Sequence, residues 1–164
     1  MELTTTCQAD EFRLATAGAR GGLGGNASSQ DFTQVEIFMD WNLPWSLDLG
    51  RDWSVQTQVD SSAGWLGDPG ADSGVFTRGP RLQLGKKGFP LKLVAGSNPT
   101  MLTNERFGTK DFGSNFQFTS YGGVTIDLGA HVSCGYRYQH MSNAGLSYTN
   151  PGLNLHMFSL SYVF

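Results

Sequence analysis

A histidine and a serine stand two residues apart near the C-terminus, and together they could form the reactive pair of a hydrolase. They lie in a stretch whose alternate positions are apolar or aromatic, a period of two that is typical of a β-strand. Residues i and i+2 of a strand project from one face about 6.5–7 Å apart, so His140 and Ser142 could come within hydrogen-bonding reach. A serine hydroxyl is a weak nucleophile until a neighbouring base accepts its proton. The pair fits nucleophilic ester hydrolysis, although two polar side chains at the rim of a sheet would give the same pattern.

Period-two alternation extends along most of the chain and predicts an all-β protein. Runs rich in Gly, Asn, Asp and Pro, including residues 26–30 and 44–50, separate the alternating segments as turns. The predicted strands are 11–24, 32–45, 52–65, 74–86, 90–100, 114–129, 131–145 and 153–164. Eight strands with about ten spanning residues each, plus connections, fit this length. The sequence therefore predicts a single domain over residues 1–164, an eight-stranded antiparallel β-barrel.

The two faces of the predicted strands differ in a way that indicates which one meets water. One set carries charged and amide side chains that could pair inside a narrow barrel: Glu36, Asp40, Gln56, Gln58, Asp60, Arg81, Gln83, Asp127, Arg137 and Gln139. The other set is bulky and aromatic, as a wall that faces lipid requires, and the chain ends on an aromatic-rich strand at Phe164. These features favour a transmembrane barrel of the bacterial outer membrane, and the alternative is a soluble ligand-carrying barrel.

Composition excludes several other classes of protein. Charged residues make up 15% of the chain, and the formal net charge of −3 provides no basic field for binding nucleic acid. No apolar run is long enough for a membrane-spanning helix. Cys7 and Cys134 are too few to define a disulfide framework, and the acidic residues have no spacing that specifies a metal site or a cofactor. No secretory signal follows Met1, so for an exported protein we expect this to be a mature chain with an added start.

Loop lengths predict the orientation of the barrel, and from it the depth of His140 and Ser142 in the membrane. Outer-membrane barrels have short periplasmic turns and long outer loops, so the short 129–130 turn and the long 101–113 connection place the C-terminus in the periplasm. At about 2.5 Å of rise per residue, His140 lies near the outer edge of the apolar band, where ester-linked acyl chains of lipopolysaccharide meet their sugars. A titratable side chain facing hydrocarbon is a functional candidate. We expect aromatic girdles at the two rims, with Trp41, Trp45, Trp53, Phe89 and Phe164 on the periplasmic side and Trp65, Phe76 and Phe112 on the outer side.

Residues 140–145 read His-Met-Ser-Asn-Ala-Gly and are followed by Asn150, Gly152 and a last apolar strand. This string resembles the PagL-type lipid A 3-O-deacylases. The resemblance implies a serine esterase that removes the 3-position hydroxyacyl chain from lipid A in the outer leaflet, without a metal or another cofactor. By the same resemblance, Ser142 is the nucleophile and His140 is the general base, while Asn143 and the backbone around Gly145 stabilise the oxyanion.

One position departs from the family pattern. The family has a glutamate on the last strand, twelve residues after the serine, where this chain has Asn154. Strand parity puts Asn154 on the outward face, where its carbonyl could accept a hydrogen bond from His140 and fix the imidazole tautomer, as in Cys-His-Asn proteases. An amide cannot supply the negative charge that stabilises imidazolium. The alternative function is therefore a catalytically weak or inactive structural barrel of the outer membrane.

Two cations on the predicted outer loop complete the candidate residues. Arg106 and Lys110 could contact phosphates of lipid A, although charges that merely solvate a loop would give the same sequence. The expected partners are lipopolysaccharide and membrane lipid, and a homodimer is left open.

Overall fold

The computed structural model describes residues 11–25 and 31–164, so the turn predicted at 26–30 and Cys7 lie outside the described residues. The strands are β1 (Arg13–Gly25), β2 (Phe32–Gly50), β3 (Trp53–Gly67), β4 (Asp72–Lys86), β5 (Leu91–Leu102), β6 (Arg106–Phe107), β7 (Lys110–Asp111), β8 (Phe116–Asp127), β9 (Val132–Ser142) and β10 (Leu153–Val163). Eight of these strands form a closed antiparallel barrel in the order β1-β2-β3-β4-β5-β8-β9-β10, and β10 pairs back onto β1. The predicted eight-stranded barrel is confirmed. Within the described ranges, no helix is long and apolar enough to cross a membrane.

The barrel strands begin and end close to their predicted bounds, except at the end of β2. Residues 44–50 were predicted as a turn, but they continue β2 after a register shift between Asn42 and Ser46. Pro44 has no N–H to donate to a neighbouring strand, and an irregular pairing of this kind accommodates it. The hairpin to β3 turns at Arg51 and Asp52, whose φ angles of 53° and 67° are those of a type I′ turn. The prediction of a turn at 44–50 is wrong.

The outer wall of the barrel is apolar and the interior is largely polar. On β2, Val35 and Ile37 are exposed, whereas Glu36 and Asp40 are buried. A wall of exposed apolar side chains around a charged interior is the reverse of a soluble barrel, and it is the arrangement that lipid requires. The soluble alternative is therefore excluded.

Paired charges fill the middle of the barrel interior. Arg20 and Arg137 both contact Glu36 and Asp60, with Arg137 Nη2 3.0 Å from Glu36 Oε1 and Arg20 Nη2 3.0 Å from Asp60 Oδ1. We call these four residues the ionic network. Nearby, Arg81 Nη1 lies 2.6 Å from Asp40 Oδ2. Buried charges are tolerated when they are paired in this way, and removing one partner of such a pair costs about 3–5 kcal/mol.

The end of the barrel that carries the 103–115 and 143–152 loops, here called the outer end, has a different interior. The short β6–β7 hairpin lies at this end, and Phe107 and Phe112 are fully buried against Phe32, with edge-to-face ring contacts among the three. We call the buried apolar cluster there the apolar plug. It consists of Phe32, Leu66, Val75, Leu102, Phe107, Phe112, Met141, Leu153, Leu155 and Met157. The expectation that Phe112 belongs to an aromatic girdle is wrong, whereas Trp65 and Phe76 are exposed as expected.

Candidate active site

Strand β9 presents the predicted reactive pair on the lipid-facing wall. Gln139 and Met141 are buried in the interior, whereas His140 is exposed and Ser142 is half-buried on the opposite face. The apolar plug lies directly behind this wall, because Met141 of β9 belongs to it. The local alternation of β9 therefore places an imidazole and a hydroxyl on the lipid-facing side, where an ionisable group is a candidate functional residue.

Asn154 holds the ring of His140. The two residues are direct cross-strand partners between β10 and β9, and His140 Nδ1 lies 2.8 Å from Asn154 Oδ1. An amide oxygen can only accept, so the hydrogen bond assigns the proton to Nδ1 and leaves Nε2 as the acceptor. The imidazole is therefore oriented as a general base requires, by a neutral partner.

Gly152 supports the other side of the same ring. Its φ angle is +62°, in the left-handed region that favours glycine, and it lies at the end of the 143–152 loop. A Cβ atom added there would lie 2.9 Å from His140 Cε1, so any side chain would displace the imidazole. The backbone conformation and the nearby imidazole therefore both explain why a glycine occupies position 152 of the sequence motif.

Ser142 lies two residues from His140 on the same face, and its cross-strand partner on β8 is Phe118. Among the described residues, no hydrogen bond joins the Ser142 hydroxyl to His140. Catalytic hydrogen bonds are often long in the absence of substrate and tighten when it binds. The pair therefore has the correct face and spacing, while the proton-transfer contact itself stays a prediction.

Asn143 organises the loop that follows Ser142. Its side chain is fully buried, and its Nδ2 donates to the carbonyl oxygens of Phe112 at 2.8 Å and Thr149 at 2.7 Å. Its Oδ1 accepts from the Gly145 N–H at 2.9 Å, and its own N–H donates to Asn150 Oδ1. These donors are engaged within the outer loops and are not directed at Ser142. The oxyanion role of Asn143 and Gly145 stays a prediction, and it requires some of these hydrogen bonds to open.

The two candidate phosphate contacts differ in exposure. Arg106 is exposed and its Nε lies 3.1 Å from Asp111 Oδ2, so its charge is partly compensated. Lys110 is buried, contrary to expectation, with its ammonium 4.8 Å and 5.0 Å from the ring centroids of Phe32 and Phe112. Burial lowers the pKa of Lys110 to about 8. Lys110 therefore packs over the apolar plug, and it does not present a free cation to the membrane surface.

A groove on the outer wall leads away from His140, and sequence reasoning missed it. It has a volume of about 510 Å³ and is bordered by Leu82, Ala95, Gly122, Tyr138 and His140. Ala95 and Gly122 face each other across β5 and β8, and their small size makes the depression. The signal was present in the sequence as small residues at outward positions of neighbouring strands.

Two serines lie at the end of this groove nearest His140. Ser120 is the direct cross-strand partner of His140 on β8, and its Oγ lies 2.8 Å from Ser97 Oγ of β5. The groove therefore begins at a polar end beside the imidazole and continues over apolar and small residues. In the described part of the chain, no group of three His, Cys, Asp or Glu side chains is arranged to hold a metal ion.

Comparison with known proteins identifies the family. The family model described as "Lipid A 3-O-deacylase (PagL)" matches residues 32–163. The chain is 28% identical to the lipid A deacylase PagL of Bordetella bronchiseptica over 125 residues, which cover 73% of this chain and 70% of that protein.

Solved structures show the same architecture. The crystal structure of the outer membrane enzyme PagL aligns with a TM-score of 0.75 at 19% identity, covering 90% of this chain and 99% of that one. The Neisserial surface protein A aligns with a TM-score of 0.53 at 10% identity, covering 92% and 96% of the two chains. At these identities the structures establish a shared fold, whereas the family match extends over most of the sequence from β2 to β10. The chain therefore belongs to the lipid A 3-O-deacylase (PagL) family.

Proposed function

We propose that this protein hydrolyses the ester at the 3-position of lipid A, with Ser142 as the nucleophile and His140 as the general base. The observation that carries the proposal is the hydrogen bond from His140 Nδ1 to Asn154 on the lipid-facing wall, with Ser142 on the same face. The outward face of a membrane barrel meets lipid directly, so a membrane-embedded substrate can reach the pair without entering the barrel.

The tautomer that Asn154 favours leaves His140 Nε2 unprotonated, so this nitrogen can act as the base in the reaction. His140 Nε2 accepts the hydroxyl proton of Ser142 while Oγ attacks the ester carbonyl carbon and forms a tetrahedral intermediate. His140 then returns the proton to the sugar oxygen, which leaves, and the acyl chain stays on Ser142. His140 Nε2 then takes a proton from a water molecule, whose oxygen attacks the carbonyl carbon of this acyl-enzyme. Ser142 Oγ leaves, receives that proton from His140, and a 3-hydroxy fatty acid is released.

The outer groove gives the acyl chain a place next to the reacting carbonyl. His140 forms one border of the groove, and Ala95 and Gly122 provide room for methylene groups. A Cβ atom added at Gly122 would meet nothing within 4 Å, so a larger side chain there fits the fold and reduces only the groove. We expect Gly122→Leu to raise the KM for lipid A while the barrel folds normally, as checked by kinetics in detergent micelles. Leu128→Ala, on the outward wall beyond the end of β8, is the control, and an unchanged KM in Gly122→Leu would contradict this placement of the acyl chain.

The neutral partner of His140 supports the second candidate, a structural barrel with little or no activity. The outward positions of β9 and β10 carry no aspartate or glutamate, so imidazolium formed during catalysis has no carboxylate beside it on these strands. In a triad whose acid is changed to the amide, the rate falls by about 10⁴, partly because the tautomer becomes wrong. Here Asn154 presents its oxygen to Nδ1, so the tautomer is correct and only the charge is missing.

Mass spectrometry of lipid A separates the two candidates. The protein is produced in the outer membrane of a bacterium with 3-O-acylated lipid A, beside Ser142→Ala, Asn154→Glu and, as a histidine control, His131→Ala at the other end of β9. We expect the loss of one hydroxyacyl mass with the native chain and with His131→Ala, no loss with Ser142→Ala, and a greater extent of deacylation with Asn154→Glu. An unchanged lipid A profile in both the native chain and Asn154→Glu would identify a structural barrel.

A further inference from the structure

An arginine occupies the lipid-facing wall on the same side of the barrel as the reactive pair. Arg78 lies on β4 between Phe76 and Pro80, and all three side chains are exposed on the outward face. An arginine on the lipid face of such a barrel costs about 2–4 kcal/mol at the bilayer midplane and little at the interfaces. Because the next outward residue toward the outer end is Phe76, Arg78 belongs near the outer interface, where its guanidinium can reach the headgroups.

Arg78 differs from the arginines of the barrel interior in having no hydrogen-bond or ion-pair partner among the described residues. Arg20, Arg81 and Arg137 are all buried in ion pairs, and Arg106 of the outer loop pairs with Asp111. Among the residues in 11–25 and 31–164, none forms a hydrogen bond or ion pair with the Arg78 side chain. Its charge is therefore available to a group outside the protein.

Strand register places Arg78 on the same line of cross-strand partners as Ser142, running from β9 across β8 and β5 to β4. Ser142 pairs with Phe118 of β8, and Phe118 pairs with Pro99 of β5. On the next strand, the pairs Thr77↔Thr100 and Arg81↔Gly96 bracket the position and put Arg78 opposite Pro99. Three strand spacings of about 4.8 Å separate the backbones of Arg78 and Ser142, and the long arginine side chain can shorten that gap. A sugar headgroup whose ester lies at Ser142 would extend along this line.

We propose that Arg78 binds a phosphate of the glycolipid whose acyl ester is held at Ser142, an inference that rests on the proposed function. A guanidinium matches phosphate through two parallel hydrogen bonds and remains charged in a poorly hydrated setting. The outer groove is bordered by His140 and also by Pro80, which lies two residues from Arg78, so one substrate can contact both His140 and Arg78. Arg78 thus selects phosphorylated lipid and sets its register on the wall.

A binding experiment tests the assignment without depending on turnover. Purified Ser142→Ala protein, which keeps substrate intact, is titrated by native mass spectrometry with bisphosphorylated lipid A and with the same lipid after removal of its phosphates. Arg78→Gln is compared with Arg13→Gln, an exposed arginine at the opposite end of the barrel. Folding is verified by the heat-dependent migration of the barrel on gels. We expect Arg78→Gln to weaken binding of phosphorylated lipid A by roughly tenfold or more, Arg78→Lys to restore part of it, and Arg13→Gln to leave it unchanged.

The dephosphorylated lipid and a phospholipid identify the source of the phosphate. Dephosphorylated lipid A should bind the Ser142→Ala protein equally with and without Arg78→Gln. Phosphatidylglycerol should bind more weakly than lipid A, with little dependence on Arg78. The assignment would be overturned if Arg78→Gln weakened binding of phosphorylated and dephosphorylated lipid A equally. It would also be overturned if Arg78→Gln weakened binding of phosphatidylglycerol as much as binding of lipid A. Phosphate-dependent binding without deacylation by the native chain would disprove the proposed function and leave the Arg78 site standing.

Discussion

The interior of the barrel has two regions that stabilise different parts of the wall. The ionic network lies in the middle and joins β1, β2, β3 and β9 through Arg20, Glu36, Asp60 and Arg137. The apolar plug lies at the outer end, and its members Met141, Leu153 and Leu155 are the inward neighbours of His140 and Asn154. The part of the wall that carries the candidate site is therefore backed by close packing, while the buried charges lie further from it. We therefore expect the ionic network to stabilise the barrel as a whole and the apolar plug to maintain the geometry of the candidate site.

The largest loss of stability is expected when one carboxylate of the ionic network is removed. Asp60→Ala leaves the buried side chains of Arg20 and Arg137 without one of their two carboxylate partners, which costs about 3–5 kcal/mol in the free energy of unfolding. Urea unfolding in lipid vesicles measures this loss, with the exposed Asp48→Ala as the control. Deacylation per folded molecule should stay unchanged. A fall in that rate as large as the loss of stability would show that the two regions are not separate.

A substitution in the apolar plug is expected to cause a smaller loss of stability but also to lower the turnover rate at the candidate site. Leu155→Ala removes a fully buried side chain between Asn154 and His156 and costs roughly 2–5 kcal/mol. Because the cavity lies behind the His140–Asn154 pair, the turnover rate per folded barrel should fall as well. Kinetics at a temperature where the variant is fully folded separate the two effects. Val94→Ala, buried on β5 outside the plug, should lose stability without the same loss of rate, and equal rates in both variants would contradict the role of the plug.

The smallest expected effect is on the pH dependence of stability, and it comes from Lys110, whose ammonium group packs over the apolar plug. Its pKa of about 8 lies below the value near 10.4 of an unfolded lysine, so between these values the unfolded chain binds more protons. The stability of the barrel should therefore rise as the pH increases from about 8 to about 10. Unfolding experiments across this range should show the rise in the native chain and lose most of it in Lys110→Met. Lys87→Met, in an exposed turn, should keep the rise, and an identical pH profile in native and Lys110→Met proteins would show that Lys110 is not buried with its charge.

The barrel and the face on which each candidate site residue lies could be predicted because a strand has a fixed period of two. Parity alone placed His140, Ser142 and Asn154 on the outward face, and the family membership confirms the predicted location in the bacterial outer membrane. The apolar plug could not be predicted, because β10 reverses the usual pattern at its outer end. There, Leu153 and Leu155 point inward while Asn154 and His156 point outward.

Features that depend on contacts between distant loops were also missed. The amide of Asn143 resembles an oxyanion donor in the sequence, but it is held by carbonyls of Phe112 and Thr149, which only the folded outer loops bring together. Arg78 could not be predicted as a site residue, because a single cation among the outward residues of β4 forms no pattern, whereas the polar interior set to which Arg81 belongs recurs on several strands. The register of four strands was needed to relate it to Ser142.

The aromatic residues packed across the outer end have a consequence for the cell that produces this protein. Phe32, Phe107 and Phe112 occupy the space where a porin would hold water, so the described part of the barrel offers small solutes no aqueous route. Production at high copy number should therefore leave the permeability of the envelope to antibiotics and nutrients unchanged. The protein can therefore be abundant in the outer membrane without opening a leak.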